Sequence, residues 1–174
     1  MRLGGKRVLI LAAPDFEDME LLYPLYRLRE EGATVVVAGI GDDPYRGKKG
    51  YFPMKPDVHV DQVSSRDFDA LVIPGGYAPD KLRRVDKVLE IVREMNDEAK
   101  PIGFICHAAW VPISAQIVKG RRITCVTAIR DDVINAGADY VDEPVVVDGN
   151  LITSRVPDDL PKWLPALIEA IAQA

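Results

Sequence analysis

Residues 8–13 read Val8-Leu9-Ile10-Leu11-Ala12-Ala13, a short apolar run with no polar alternation. Such a run is typical of a strand that is covered on both faces, as in a parallel sheet between layers of helices. An amphipathic stretch from about Glu17 to Glu31 follows, and Gly32 is its predicted C-terminal stop. Residues 34–38 then predict a second strand. The three segments form a β-α-β unit, in which the strands run parallel and the crossover is right-handed.

The rest of the chain continues this alternation of strands and helices. The patterns predict strands at 70–73 and 101–105, extended segments at 122–126 and 140–147, and helices at 86–98, 107–118 and 159–172. Asp148-Gly149 predicts a type I′ hairpin turn. The Gly-, Pro- and charge-rich residues 39–68 predict loops with a short strand near Val58–Val60. The sequence thus predicts one α/β domain over residues 1–174, doubly wound around a mostly parallel sheet with helices on both faces.

Charge and composition limit the partners of this chain. Lys and Arg number 22 against 27 Asp and Glu, which gives a net charge of -5 and predicts no nucleic-acid partner. The apolar run after the basic N-terminus ends at Pro14-Asp15, too short for a signal peptide, and no apolar run reaches membrane-spanning length. We therefore expect a cytoplasmic protein with no membrane partner, whose two cysteines stay reduced. The two histidines and two cysteines form no metal-ligand pattern, so no metal is expected.

Three segments that follow predicted strands carry chemically useful groups. They are the acidic loop Asp15-Phe16-Glu17-Asp18, the loop Pro74-Gly75-Gly76, and Cys106-His107. In doubly wound sheets the ligand crevice lies beyond the carboxyl ends of the strands, so these segments should converge there. A carboxylate, exposed backbone and a thiol at one edge of the sheet predict a nucleophilic site.

Cys106 is the predicted nucleophile because it lies where a buried strand turns sharply into a helix. The partial positive charge of the helix N-terminus should lower its thiol pKa below the usual value of about 8.5. The alternative is that Cys106 is a small buried hydrophobe, as most free cysteines are. Glu17 is the carboxylate expected to face the thiol, where burial would raise its pKa and let it donate a proton. Alternatively Glu17 complements the helix dipole, a role that Asp18 or Glu20 could equally fill.

Gly75, Gly76 and His107 are the other candidate site residues. The two glycines would let backbone N–H groups approach an oxyanion or an oxidised sulfur, or they form a plain tight turn. His107 is a candidate base that reaches Cys106 only if the turn is irregular, because adjacent residues on a regular helix or strand point apart. Otherwise it is a helix-terminal histidine held by a carboxylate from elsewhere. Cys125 is predicted to lie in the core.

Motifs along nearly the whole chain resemble the ThiJ/PfpI family, specifically the PfpI-type intracellular proteases and general stress proteins of the class I glutamine-amidotransferase-like superfamily. The motifs are Phe16-Glu17-Asp18-Met19-Glu20-Leu21 with Tyr23-Pro24, Pro74-Gly75-Gly76-Tyr77-Ala78-Pro79-Asp80, Ile105-Cys106-His107, Asp131-Asp132-Val133-Ile134-Asn135-Ala136-Gly137, Asp148-Gly149-Asn150-Leu151-Ile152-Thr153-Ser154-Arg155 and Pro157-Asp158-Asp159-Leu160.

This resemblance implies a flavodoxin-like sandwich with its nucleophile at Cys106, its thiol-contacting glutamate at Glu17 and its histidine at His107. In the PfpI branch an acidic residue of a neighbouring subunit orients the histidine, and Asp80 is the matching position here. The resemblance therefore also implies a homo-oligomer, a dimer or a hexamer built as a trimer of dimers. No cofactor is expected.

The sequence departs from the family where many relatives have Cys-His-Gly-Pro, since Ala108-Ala109-Trp110 follows His107. Methyl groups and an indole at that turn would narrow the pocket or shift its backbone donors. No histidine follows His107, so the amidotransferase triad is excluded.

Three functions fit these residues. The first is a stress-protective, glyoxalase-like or deglycase-like enzyme whose Cys106 thiolate attacks reactive carbonyls. The second is a cysteine peptidase that uses Cys106, His107 and Asp80 of a neighbour. The third is a non-enzymatic redox sensor or chaperone in which Cys106 becomes oxidised.

Overall fold

The computed structural model describes residues 1–50 and 53–174. In this part of the chain the strands are β1 (Arg7–Ala12), β2 (Thr34–Gly39), β3 (Tyr45–Arg46), β4 (Pro53–Met54), β5 (Val58–His59), β6 (Ala70–Ile73), β7 (Ile102–Ile105), β8 (Arg122–Ile123), β9 (Asp139–Tyr140), β10 (Val145–Asp148) and β11 (Leu151–Ser154). Seven of them form the main sheet, in the order β10-β11-β7-β6-β1-β2-β5. All neighbours in it run parallel except the antiparallel pair β10 and β11. The predicted mostly parallel sheet is confirmed.

Helices cover this sheet. They are α1 (Asp18–Glu30), α2 (Ala78–Leu82), α3 (Asp86–Asp97), α4 (Trp110–Ser114), α5 (Arg130–Asn135) and α6 (Leu160–Gln173). Every residue of β1 from Val8 to Ala12 is completely buried. Successive residues of a strand point to opposite faces, so the sheet is covered on both sides at β1, as the unbroken apolar run predicts. Among the helices of residues 1–50 and 53–174, none is long and apolar enough to cross a membrane.

The amphipathic pattern of the first helix translates directly into packing. Leu21, Leu25 and Leu28 recur at helical spacing, and all three are buried. Glu17 caps the helix N-terminus, since its side chain accepts the backbone N–H of Glu20. The β1–α1–β2 unit predicted from residues 8–38 is therefore confirmed, with strand bounds shifted by one residue.

The segment after β7 differs from the continuous helix predicted over 107–118. The chain makes a 3-10 turn at Cys106–Ala109 and then the short helix α4, which ends at Ser114. Gln116 has a φ of 63°, a left-handed conformation in which an α-helix cannot continue. Two further short helices, α2 and α5, were missed because five or six residues hold too few turns for a readable apolar period.

The hairpin between β10 and β11 is confirmed, but its turn lies one residue later than predicted. Asp148 pairs with Leu151 in the ladder, so the two turn residues are Gly149 and Asn150. Of these only Gly149 has a positive φ, which is typical of a type II′ rather than a type I′ turn. The carboxylate of Asp148 instead accepts the backbone N–H of Arg122 at 2.7 Å.

Predictions for the irregular regions are confirmed only in part. Extended structure at 122–126 and 140–147 is limited to β8, β9 and the start of β10. The short strand predicted near Val58 is β5, which pairs with the end of β2 at one edge of the sheet. The remainder of 39–68 contains the small hairpin β3–β4 and two 3-10 turns. The part of the loop prediction that concerns residues 51 and 52 lies outside the described residues.

Candidate active site

The three predicted segments meet at one edge of the sheet, where the neighbouring strands β1, β6 and β7 end. Backbone contacts join the first two: Phe16 and Gly76 form an antiparallel bridge, and the N–H of Tyr77 donates to the carbonyl of Asp15 at 2.8 Å. The N–H of Glu17 donates to the carbonyl of Gly75 at 3.1 Å. The loop after β1 and the loop after β6 thus form one rigid floor beside Cys106.

Cys106 lies on an irregular turn. Its φ of 63° is left-handed, a conformation that costs a non-glycine residue about 1–2 kcal/mol. The turn brings Cys106 Sγ within 3.3 Å of His107 Nδ1, although the two residues are adjacent in the chain. The backbone N–H groups of His107 and Gly76 also lie near this sulfur and favour its anion. The turn is therefore irregular, as the assignment of His107 as a candidate base requires, and the imidazole of His107 contacts the sulfur of Cys106.

Gly75 and Gly76 allow the loop after β6 to approach both the thiol and the β1–α1 turn. A Cβ at Gly75 would collide with the carboxyl of Glu20 and with Cβ of Cys106. A Cβ at Gly76, whose φ is +76°, would collide with the backbone of Asp15, Phe16 and Glu17. Of the two backbone N–H groups, that of Gly76 favours the anion of the sulfur, whereas that of Gly75 donates to Glu20 Oε2 at 2.8 Å. The expectation that both glycines offer free donors is therefore wrong for Gly75.

The carboxyl that contacts the thiol belongs to Glu20, and this corrects the position assigned to Glu17. Glu17 Oε2 accepts the N–H of Glu20 at 2.9 Å and so serves as the helix cap. Glu20, in the first turn of α1, interacts directly with Cys106. Side chains on a helix tilt toward its N-terminus, so a first-turn residue reaches the strand ends beneath the helix, whereas the cap residue turns back onto the helix itself. Glu17 thus has the alternative role that the sequence analysis left open.

Burial dominates the electrostatics of this pair. Burial and the nearby charge of Glu17 raise the pKa of Glu20 to about 8. Its Oε1 is buried and pairs with no N–H or O–H group in the described part of the chain. Burial and the charge of an ionised Glu20 raise the pKa of the Cys106 thiol to about 12, against the opposing effect of the two N–H donors. The predicted lowering of the thiol pKa by a helix N-terminus is therefore wrong for this chain, where a 3-10 turn replaces that helix.

Two negative charges so close together in a buried site disfavour each other, so once the pair has lost its first proton, near pH 8, Glu20 and Cys106 share the one that remains. When that proton lies on Glu20, the repulsion that raises the thiol pKa disappears. The protonated carboxyl can then donate to the sulfur. A thiolate at Cys106 consequently depends on a protonated Glu20.

His107 is half-buried between aromatic rings. Its ring makes an edge contact with Trp110, with centroids 5.1 Å apart, and lies 6.5 Å from the ring of Tyr77. Burial, and secondarily the charge of Lys48, lower the pKa of His107. The imidazole is therefore neutral at pH 7 and able to accept a proton.

The departure at Ala108-Ala109-Trp110 affects one wall of the site. Ala108 and Ala109 are completely buried, so their methyl groups pack into the core. The indole of Trp110 forms the wall beside His107, and its Nε1 donates to Asp132 Oδ2 at 2.9 Å. The sequence analysis expects an indole at this turn to narrow the pocket, and the ring of Trp110 does line the site.

Asp80 and Cys125 lie outside this cluster. Asp80 is exposed in α2, and its Oδ2 accepts from Arg84 Nη2 at 2.8 Å. The role assigned to it, to orient His107 of another subunit, stays a prediction. Cys125 is completely buried, which confirms its assignment to the core. In residues 1–50 and 53–174, no group of three or more His, Cys, Asp and Glu side chains is arranged to hold a metal ion.

Lys48 is a site residue that the sequence analysis missed. Its ammonium lies 5.0 Å from the ring centroid of Tyr77, and its charge acts on both Glu20 and His107. It belongs to the loop between β3 and β4, where no periodic pattern indicates which side chain faces the site.

Known proteins resemble this chain over almost its whole length. The family model described as "DJ-1/PfpI family" matches residues 6–170. "Deglycase PfpI" of Pyrococcus furiosus is 46% identical over 165 residues, which cover 95% of this chain and 99% of the relative. "General stress protein 18" of Bacillus subtilis is 41% identical, with 91% of this chain and 94% of the relative covered. Among solved structures, DJ-1beta of Drosophila melanogaster matches with a TM-score of 0.90 at 30% identity, covering 97% of this chain and 91% of that one.

Proposed function

The chain belongs to the DJ-1/PfpI family, and on that premise we propose that it is a cofactor-independent enzyme that converts reactive α-oxoaldehydes such as methylglyoxal into α-hydroxy acids. The observation that carries this proposal is the contact of one sulfur, Cys106 Sγ, with a base and an acid. His107 Nδ1 lies 3.3 Å from it, and the carboxyl of Glu20 also interacts with it. The name deglycase borne by a relative at 46% identity supports an activity on carbonyl adducts.

The reaction begins with transfer of the thiol proton to the neutral imidazole of His107. The thiolate then adds to the aldehyde carbon and forms a hemithioacetal, while the N–H groups of Gly76 and His107 stabilise the negative charge on oxygen. Protonated Glu20 supplies the acid for this step. Both N–H groups favour negative charge on the sulfur, and an oxygen on the carbon bound to that sulfur would lie in the same region.

The hemithioacetal then isomerises. A proton leaves the former aldehyde carbon and another is added at the neighbouring carbon, with Glu20 and His107 as carriers, so an enediol becomes a thioester. The aldehyde carbon is oxidised as the ketone carbon is reduced, and no external oxidant is needed. Water hydrolyses the thioester, releasing lactate in the case of methylglyoxal and regenerating the thiol. The same addition step would act on early glycation adducts that release the aldehyde.

The proposed enzyme is a homo-oligomer located in the cytoplasm, where reducing conditions keep both cysteines as thiols. In this proposal Asp80 of one subunit orients His107 of another. Asp80 is exposed, and its carboxylate pairs with Arg84, which lies just beyond the end of α2, so this carboxylate is accessible to a second chain.

The test is lactate formation from methylglyoxal in D2O, followed by NMR. Wild type should release lactate that carries solvent deuterium at the carbon bearing the hydroxyl, as an enediol requires. Cys106→Ser should lower the rate by at least about a hundredfold, because an alcohol at that position is a far weaker nucleophile. Cys125→Ala is the matched control, since it removes the buried thiol and should retain turnover.

Undiminished lactate formation in Cys106→Ser would contradict the proposal. If wild type forms no lactate but cleaves unstructured peptides in a Cys106-dependent manner, the chain is a peptidase instead. Selective oxidation of Cys106 by peroxide, with neither activity present, would favour a redox sensor.

A further inference from the structure

Lys48 is fixed at the rim of the active site. The N–H of Lys48 donates to the carbonyl of Phe16 at 2.7 Å, and the N–H of Lys49 donates to Asp18 Oδ2 at 2.8 Å. Phe16 lies in the β1–α1 turn and Asp18 is the first residue of α1, two residues before Glu20. A Cβ at Gly47 would collide with the carboxylate of Asp18, so the loop lies directly against this turn. The position of Lys48 is therefore set by the same backbone that positions the acid of the site.

The ammonium of Lys48 forms no ion pair with a carboxylate of the described residues. In the part of the chain that the structure describes, no Asp or Glu oxygen lies within ion-pair distance of it, whereas Lys81, Lys87 and Lys100 each have such a partner at 2.7 Å. Its contact is the ring of Tyr77, at 5.0 Å. Tyr77 in turn lies beside His107, the neighbour of the thiol. An unpaired cation thus stands at one side of the reacting sulfur.

The charge of Lys48 acts on titratable groups inside the site. Its charge lowers the pKa of both Glu20 and His107, which flank Cys106 from different elements. A substrate bound to the sulfur lies in the same region. An anionic group on that substrate would therefore meet a positive charge that pairs with no carboxylate among residues 1–50 and 53–174.

We propose that Lys48 binds a carboxylate carried by the substrate, so that the site prefers α-oxoaldehydes with a carboxylate at their far end over uncharged ones. This inference rests on the proposed function, since it names the substrate class of the same reaction. The aldehyde carbon forms its bond to Cys106, and the carboxylate extends along Tyr77 toward the ammonium. Lys48 is a specificity residue in this scheme, and it takes no part in moving protons.

A matched pair of substrates tests this assignment. γ,δ-Dioxovalerate carries an α-oxoaldehyde and a carboxylate, whereas its methyl ester has the same reacting carbons and no charge. Wild type should use the acid with a kcat/KM roughly fivefold above that of the ester, mainly through a lower KM, as suits one partly exposed ion pair. The preference should shrink at high salt, because exposed charges are screened.

Variants of Lys48 should change this ratio of kcat/KM values. Lys48→Met should bring the ratio of acid to ester close to one, Lys48→Arg should retain it, and Lys48→Glu should invert it. Lys49→Met is the matched control: it removes the neighbouring exposed ammonium, and the wild-type ratio should persist.

Two failures can be told apart. If wild type consumes methylglyoxal but shows no preference for the acid, or if Lys48→Met keeps the preference, this inference is overturned and the proposed function stands. If wild type turns over none of the three α-oxoaldehydes, both are overturned.

Discussion

At the scale of single residues, one shared proton connects Glu20 and Cys106. Glu20 is completely buried and its pKa is raised to about 8, so it is protonated over most of the neutral range. As the pH rises through about 8, the carboxyl loses its proton and turns from a donor into a repelling charge beside the sulfur. The reactivity of the thiol should therefore follow the protonation of Glu20 as well as its own.

Sequence reasoning placed Cys106 at the correct edge of the sheet but assigned the wrong carboxyl to it. Cys106 could be predicted because it follows a buried strand at the edge where ligands bind. The choice between Glu17 and Glu20 could not, because both lie within one helical turn of the helix start. It depends on which of them becomes the cap, and the apolar period of the helix does not fix its first residue that closely.

The pKa of the Cys106 thiol could not be predicted from the sequence, for a related reason. The expectation of a lowered pKa assumed a regular helix after Cys106, whereas the chain makes a 3-10 turn that buries the sulfur beside Glu20. Burial is a property of packing among distant segments, and the local sequence contains no measure of it.

At the scale of elements, the fit between the loop after β6 and the β1–α1 turn holds the site together. Gly76→Ala and Gly120→Ala form a matched pair, since both glycines have a similar φ, +76° and +74°, but only Gly76 has backbone within reach of an added Cβ. Gly120→Ala should cost about 1 kcal/mol of unfolding free energy from the strained φ alone. Gly76→Ala should cost more than about 2 kcal/mol, because the backbone of Glu17 must move.

Urea denaturation measures these costs, and the alkylation rate of Cys106 reports the site. We expect Gly76→Ala to change that rate at least about tenfold, since the N–H donor to the sulfur moves with the loop. Equal losses of stability in the two variants, with unchanged alkylation in both, would show that the loop contact does not shape the site.

Elements with a strong period were predictable and short ones were not. The helix α1, the strands β1, β2, β6 and β7, and the hairpin β10–β11 follow from apolar patterns and one turn signal. The short helices α2 and α5 give no such pattern. Their positions depend on how the adjoining loops pack. Lys48 was missed for the same reason, because it lies in a loop without a periodic pattern.

At the scale of the whole molecule, the proposed role of Asp80 requires two chains. Asp80→Asn should lower methylglyoxal turnover by at least about tenfold, by analogy with other histidines that lose an orienting carboxylate. Asp86→Asn, which removes an exposed carboxylate from the first turn of α3, is the control and should leave turnover unchanged.

Mixing two inactive variants gives a sharper test of the shared site. Chains with Cys106→Ser and chains with Asp80→Asn, refolded together, should regain about a quarter of the wild-type activity, because random pairing gives mixed dimers with one intact site each. Activity no greater than the mean of the two separate variants would place Asp80 outside the site of the neighbouring subunit.

The most direct test of the account is the pH dependence of Cys106 alkylation by iodoacetamide, measured in a Cys125→Ala background for the wild-type site, Glu20→Gln and Glu17→Gln. The rate at the wild-type site should rise with pH and flatten near pH 8, where Glu20 loses its proton. Glu20→Gln should abolish the flattening and react faster than the wild-type site above that pH, whereas Glu17→Gln should keep it. Superimposable profiles for Glu20→Gln and the wild-type site, or loss of the flattening in Glu17→Gln instead, would contradict the shared proton on which the proposed chemistry depends.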